Sequence, residues 1–330
     1  MLFVSRVKKA ILLPALFLII VSLVLSGCGQ SQGSLVSGKI NVVASFYPLY
    51  DFTKKIGGDH VNAINLVPTG VEPHDWSPKG RDIQNITKAE MFVYLGAGLE
   101  GWVDHTLSSL PKDSKLTVLE ASKGLELLES TEDDGHDHEH KADQKDDKNK
   151  AKAQDEHHLD PHVWLSPVNA KKMAAAIKDQ LIQIDAAHKS DYEANYAKFA
   201  GQLDDLNGKF KQKLSSLPKK EIVVTHQSFG YLAKEYGLKQ MPIMGLSPDA
   251  EPTAQDLKDI NAFIRDNNVK YIFFEELVSD KLAKTLAKDA KVDTLVLNPI
   301  EGLTEEQVKA GADYITLMES NLNNLIKALQ

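Results

Sequence analysis

The sequence predicts an α/β protein of two lobes, each a mainly parallel sheet flanked by helices, joined by a long rigid linker helix. Three observations carry this reading. Short apolar runs alternate with amphipathic stretches between residues 40 and 119 and again between 221 and 297, the pattern of βαβ units around a parallel sheet. One amphipathic stretch, from about Ser190 to Leu217, is some 28 residues long and ends at Pro218. That is long for a globular helix, and its heptads do not continue, so a spine between lobes fits better than a coiled coil. Residues 40–330 are also enough chain for two domains of ordinary size.

The elements follow in order. Residues 40–46 read as a buried strand and 51–57 as the next helix. A second strand spans 61–67 and closes at Pro68-Thr69-Gly70. An amphipathic helix over 81–90 leads into a third strand at 91–95, a helix at 102–110 and a fourth strand at 116–119. Ser166-Pro167 is a good cap and first-turn pair for a helix running to about Ile184. After the spine come strands at 221–225, 240–244, 271–274 and 294–297, with helices at 231–236, 253–267 and 280–288 between them. Thr253 caps the second of these helices, with Asp256 three residues on. Residues 304–329 close the chain as helices. The expected divisions are an N-terminal lobe over 40–188, a linker helix over 189–218 and a C-terminal lobe over 219–330.

Residues 1–27 read as a lipoprotein signal peptide. Arg6, Lys8 and Lys9 precede an apolar run from Ile11 to Leu25, and Ser26-Gly27 are the small residues of a cleavage site. Cys28 follows directly, where a bacterial lipoprotein is lipidated. The apolar run is shorter than the ~20 residues a spanning helix needs. Residues 28–39 then form a lipidated tether of linker composition. The expected location is extracytoplasmic, lipid-anchored to the outer face of the bacterial cell membrane.

Cys28 is the single cysteine, so a metal site here must use nitrogen and oxygen. The full chain carries a net charge of −8, and loss of Arg6, Lys8 and Lys9 with the signal makes it more acidic. No basic, aromatic-interleaved patch is present, which argues against nucleic acid as a partner. Residues 131–160 hold eleven Asp/Glu, five Lys and five His and lack valine, isoleucine, methionine and aromatic residues. Such a segment cannot bury enough apolar area to order itself, so disorder is expected. Its histidines His136, His138, His140, His157 and His158 make it a candidate auxiliary metal-capturing loop.

Three separate stretches each set one histidine among polar and aromatic residues: Glu72-Pro-His-Asp-Trp76, Asp160-Pro-His-Val-Trp164 and Thr225-His-Gln-Ser-Phe229. His74, His162 and His226 are 88 and 64 residues apart, so no local structural need links them. A turn histidine bonded to the backbone explains any one of them. Three at or near strand ends point to one crevice and one metal ion, because α/β sheets bind ligands there. His60, His105 and His188 lack that context and read as surface or helix residues. A fourth ligand is expected from the second lobe, where Asp249, Glu275, Glu276 and Glu301 stand at or near strand ends and are nearly tied.

Apart from the 131–160 loop, the chain resembles the zinc-binding lipoproteins of bacterial ABC transporters, the cluster A-I or cluster 9 solute-binding proteins. The resemblance rests on Phe46-Tyr-Pro-Leu-Tyr50, Val71-Glu-Pro-His-Asp-Trp76, Asp160-Pro-His-Val-Trp-Leu-Ser-Pro167, Thr225-His-Gln-Ser-Phe-Gly-Tyr-Leu-Ala233, Gly245-Leu-Ser-Pro248 and Leu297-Asn-Pro-Ile-Glu-Gly-Leu303. It implies that His74, His162 and His226 bind the metal, with Glu301 as the acidic ligand. It further implies Zn2+ as the transported ligand, delivered for import to the permease and ATPase of an ABC zinc importer by a non-enzymatic, monomeric protein. Manganese importers belong to the same group, but they tend to carry an acid where this chain has His226. Three imidazoles and a carboxylate suit zinc, whereas Mn2+ prefers more oxygen. Two rivals belong to other classes. A zinc-dependent hydrolase would use three histidines and a bound water, but an H-E-x-x-H motif is absent. A surface adhesin finds no repeats or extra module in its favour.

Overall fold

The computed structural model describes residues 33–129, 159–248 and 252–330. The first lobe begins with β1 (Ile40–Ala44), α1 (Tyr47–Gly57), β2 (Val61–Asn65), α2 (Gly80–Lys88), β3 (Met91–Tyr94), α3 (Val103–Ser108) and β4 (Thr117–Glu120). Its sheet has the order β2-β1-β3-β4, with every pairing parallel. A two-stranded antiparallel clip follows, β5 (Leu128–Glu129) with β6 (Leu159–Asp160). Then come α4 (Pro167–Ile184) and the long α5 (Lys189–Ser215).

The second lobe contains β7 (Glu221–Val224), α6 (Gly230–Tyr236), β8 (Lys239–Pro242), α7 (Ala254–Asp266), β9 (Tyr271–Phe274), α8 (Lys281–Ala290) and β10 (Asp293–Val296). Its sheet has the order β10-β9-β7-β8, again all parallel. Helices α9 (Glu305–Lys309) and α10 (Tyr314–Leu329) end the chain. Gly311, at φ 69°, lies in the break between them, and Thr304 and Asp313 cap the two starts.

Strand side chains alternate between faces, and here the two faces enter different cores. Val42 and Ala44 of β1 join the main cluster, while Val43 points to the outer core with Ile64, Ile86 and Phe92. In β7, Ile222 and Val224 enter the main cluster, and Val223 packs outward against Ile260 and Ile272. The inner faces of both sheets therefore share one core, continuous through Trp164, Phe199, Phe210 and Leu325. Helix α5 supplies Tyr192, Phe199, Leu203, Leu206, Phe210 and Leu214 to it, a stripe at helical spacing.

The structure departs from the expected boundaries in four places. Helix α1 begins at Tyr47, not residue 51, because Pro48 fits the first helical turn. Asp51 is thereby placed mid-helix, buried and paired with Lys55 at 3.3 Å. The spine ends at Ser215, short of Pro218, as the preceding residue of a proline resists helix. Within the expected tether, Ser34 O accepts from Asn62 Nδ2 at 2.9 Å and Val36 N donates to Asn41 Oδ1 at 2.7 Å, fastening these residues to lobe one. Leu159 and Asp160, the end of the expected disordered loop, pair with β5, because Asp160 is held by groups on both lobes. The rest of that loop, with His136, His138, His140, His157 and His158, lies outside the described residues, as do Cys28 and the expected signal peptide.

Candidate metal centre

The ends of three parallel strands, the β6 clip and the shared core converge on four side chains. His74 lies in the loop after β2, His162 directly after β6, His226 directly after β7 and Glu301 in the segment after β10. One ligand atom from each lies within 4.8 Å of the other three. His162, His226 and Glu301 are buried, and the His74 side chain retains 11% of its surface exposed, so it forms the rim.

Local sequence explains each placement. Pro73 and Pro161 restrict the backbone ahead of their histidines. Glu72 accepts from the His74 backbone N through both carboxylate oxygens at 3.0 Å, fixing that turn. The His74 loop docks on lobe two where Gly70 N donates to Leu303 O at 2.8 Å. A Cβ on Gly302 would meet Leu277 at 3.0 Å and Val71 O at 3.4 Å, so the bare backbone permits this approach. Glu301 is turned inward by its predecessor. Ile300 has φ 58°, a costly conformation for a β-branched residue. It is held there because Ile300 N donates to Asn298 Oδ1 at 2.6 Å and Asn298 is clamped by Asn321.

Both buried imidazoles are held at Nδ1 by carboxylates. Asp160 Oδ1 takes His162 Nδ1 at 2.8 Å and the His162 backbone N at 2.9 Å. Glu275 Oε1 takes His226 Nδ1 at 2.7 Å. In the neutral ring, Nδ1 donation leaves the lone pair on Nε2, the arrangement that orients a metal-binding imidazole. The free edges face one another: His162 Nε2 and His226 Nε2 are 3.2 Å apart. Glu301 Oε1 lies 3.2 Å from His162 Nε2, 3.4 Å from His74 Nε2 and 3.6 Å from His226 Nε2. Despite these distances, His74 Nε2 and Glu301 Oε1 are buried without a properly aligned hydrogen bond. Buried polar atoms seldom remain unsatisfied, and a shared cation is the partner that suits both.

The charges agree. Burial would raise the Glu301 carboxyl, but the three imidazoles around it outweigh burial and hold Glu301 well below the usual range. Burial would lower His226, yet Glu275 and Glu301 carry it well above its ordinary value. His162 is raised likewise by Asp160 and Glu301 against burial. Glu72 is pushed up to about 7 by burial and by the like charge of Glu301.

All four residues singled out by the sequence and the resemblance thus meet. Of the competing acids, Glu275 serves His226 from behind, and Glu276 accepts from Asn298 and Gln307 instead. Asp249 lies outside the described residues. His105 is exposed on α3, while His60 and His188 stack on each other with centroids 3.7 Å apart, outside this cluster. The roles of Asp160 and Glu275 escaped sequence reasoning. The Asp-x-His spacing of Asp160 was a usable signal; Glu275, 49 residues from its imidazole, offered none.

Comparison with known proteins follows the same direction. Over 311 residues the chain is 41% identical to the high-affinity zinc uptake system protein ZnuA of Bacillus subtilis (strain 168), covering 93% of this chain and 94% of that protein. It is 40% identical over 304 residues to the zinc-binding lipoprotein AdcA of Streptococcus pneumoniae (strain ATCC BAA-255 / R6), but spans only 58% of that longer protein. The crystal structure of the Zn(II)-bound ZnuA-like domain of Streptococcus pneumoniae AdcA superposes with a TM-score of 0.73 at 39% identity, covering 88% of this chain and 99% of that one. Residues 42–328, a stretch that takes in both lobes and the spine, match ZnuA, the periplasmic component A of zinc-uptake complexes, and the chain belongs to that family.

Proposed function

We propose that this protein is an extracytoplasmic, high-affinity zinc-binding component that captures Zn2+ with His74, His162, His226 and Glu301 and delivers it to the permease and ATPase of an ABC importer. The observation that carries the reading is the convergence of four potential ligand atoms within 4.8 Å in a largely buried cluster. Three neutral nitrogens and one carboxylate oxygen form a borderline-soft tetrahedral set, matched to zinc better than to manganese. Zinc is the cargo here. The chain orients the imidazoles through Asp160 and Glu275 and excludes bulk water by burial.

Binding is favoured over hydrolysis by Glu301. A catalytic zinc site keeps a position open for water, and Glu301 Oε1 fills the position that faces all three imidazoles. The lipid on Cys28 would keep the carrier at the membrane. His136, His138, His140, His157 and His158 would gather zinc at low affinity near the site, since the chain from His158 to His162 is only four residues. The test is a competition titration of the metal-free protein with Zn2+ and Mn2+. One tight zinc site with much weaker manganese binding is expected; preference for manganese would overturn the assignment of cargo.

A further inference from the structure

Of the two buried imidazoles, one belongs to each lobe, and their Nε2 atoms must be held at a fixed spacing by something other than the metal. Tyr231 of α6 lies where the lobes meet beside them. Its hydroxyl donates to Asp160 O at 2.7 Å and accepts from Leu128 N at 2.9 Å, so one lobe-two oxygen ties both strands of the lobe-one clip. Tyr231 stands five residues after His226, and Asp160 stands two before His162.

The neighbouring residue tightens the link. A Cβ on Gly230 would fall 2.5 Å from Asp160 Oδ2. The other oxygen of that carboxylate is the one committed to His162 Nδ1 and His162 N. Asp160 therefore cannot swing aside without moving His162, and α6 approaches this closely because residue 230 is glycine. The Tyr231 ring is buried, with 4% of its surface exposed. Burial, the largest influence, keeps its phenol above the ordinary range, so it stays a donor at neutral pH.

We propose that Tyr231 is a positioning residue for zinc, its hydroxyl acting as the cross-lobe pin that sets His226 against His162. The proposal rests on the zinc site described above. Removing the hydroxyl frees the Asp160 backbone, relaxes the carboxylate that aims His162, and loosens the tetrahedral geometry. Loss of such an outer partner costs roughly 10–100-fold in metal affinity.

The experiment compares Tyr231→Phe with Tyr236→Phe in the otherwise unaltered protein. Tyr236 sits on the same helix, and its hydroxyl bonds Asn207 Oδ1 at 3.1 Å, away from the imidazoles. Zinc affinity is read by competition titration, and geometry by the visible bands of Co2+ bound in place of zinc. The expected result is zinc binding weaker by about tenfold and weaker, shifted cobalt bands in Tyr231→Phe, with Tyr236→Phe like the parent. Parent-like affinity and bands in Tyr231→Phe overturn this inference alone, as does an equal change in both variants. Failure of the parent to bind either metal overturns the site and the inference together, and the two failures are thereby distinct.

Discussion

Trp164 Nε1 donates to Pro299 O at 2.7 Å, and this one hydrogen bond spans the two lobes. His162 lies two residues before its donor and Glu301 two residues after its acceptor. Trp164 is fully buried, edge-on to Phe46 at 4.8 Å, and packed against the His162 ring at 5.3 Å. The indole therefore fixes His162 of lobe one and Glu301 of lobe two to one shared piece of core. A phenyl ring in its place would lose the donor and leave part of the indole volume unfilled.

Trp164→Phe should thus destabilise the metal-free protein by at least about 1–3 kcal/mol, the cost of leaving Pro299 O buried without a partner, to which the unfilled indole volume adds. Chemical denaturation would show it, and an unchanged midpoint would mean that the bond contributes nothing net.

Replacement of single ligands should rank by burial. His226→Ala removes a ligand that water cannot readily replace and leaves the Glu275 carboxylate buried without its imidazole. Its zinc affinity should fall by more than the roughly 10–100-fold typical of outer-shell losses. His74→Ala opens the rim, where solvent can enter, and should cost less. Competition titration decides the order, and a greater loss in His74→Ala would contradict it.

Zinc binding should weaken on acidification, starting above the ordinary histidine value of about 6.5. Burial lowers His226, but Glu275 and Glu301 raise it, so a proton is held there at higher pH than in a free imidazole. His162 behaves alike through Asp160 and Glu301. Zinc must displace these protons. The metal-free protein has the opposite trend. A raised histidine contributes stability that is complete below about 6.5 and lost as pH rises through its folded value. Glu301, lowered in the fold, contributes stability present above its unfolded value and lost as pH falls through its folded one. The gain in thermal midpoint on adding zinc should therefore be larger at pH 8 than at pH 6. An equal gain at both would show that the imidazoles are already neutral before zinc arrives.

Deleting residues 133–156, within the segment outside the described residues, should leave the tight site intact. The β5–β6 clip, the Tyr231 tie and His162 all remain in such a variant. Total zinc bound should fall, and uptake should slow only under scarcity. Loss of the tight site on deletion would assign a primary ligand to the segment.

Much of this was legible in the sequence because each feature has a local cause. Alternating strands and helices announced the two parallel sheets, and Pro73 and Pro161 marked the histidine turns. Glu301 was not separable from Glu275 on residue type and position alone. The two acids follow neighbouring parallel strands, β9 and β10, and which one reaches the shared Nε2 edge of the imidazoles depends on backbone direction. Ile300 at positive φ and the Asn298–Asn321 clamp settle that direction, and both arise from long-range contacts. The resemblance to known carriers supplied what periodicity lacked. The early start of α1 was readable from Pro48 but concealed by Asp51, a common capping residue that here lies buried mid-helix against Lys55. Tyr231 and Trp164 bridge the lobes through hydrogen bonds to residues distant in sequence, which no local pattern announces.

The most direct test of the central claim is an anomalous-difference map of zinc-loaded crystals, collected on either side of the zinc absorption edge. The account predicts one dominant peak bounded by His74 Nε2, His162 Nε2, His226 Nε2 and a Glu301 oxygen, at about 2.0–2.2 Å from each. A dominant peak elsewhere, or one at this place with Glu301 turned away and water in its stead, would contradict it.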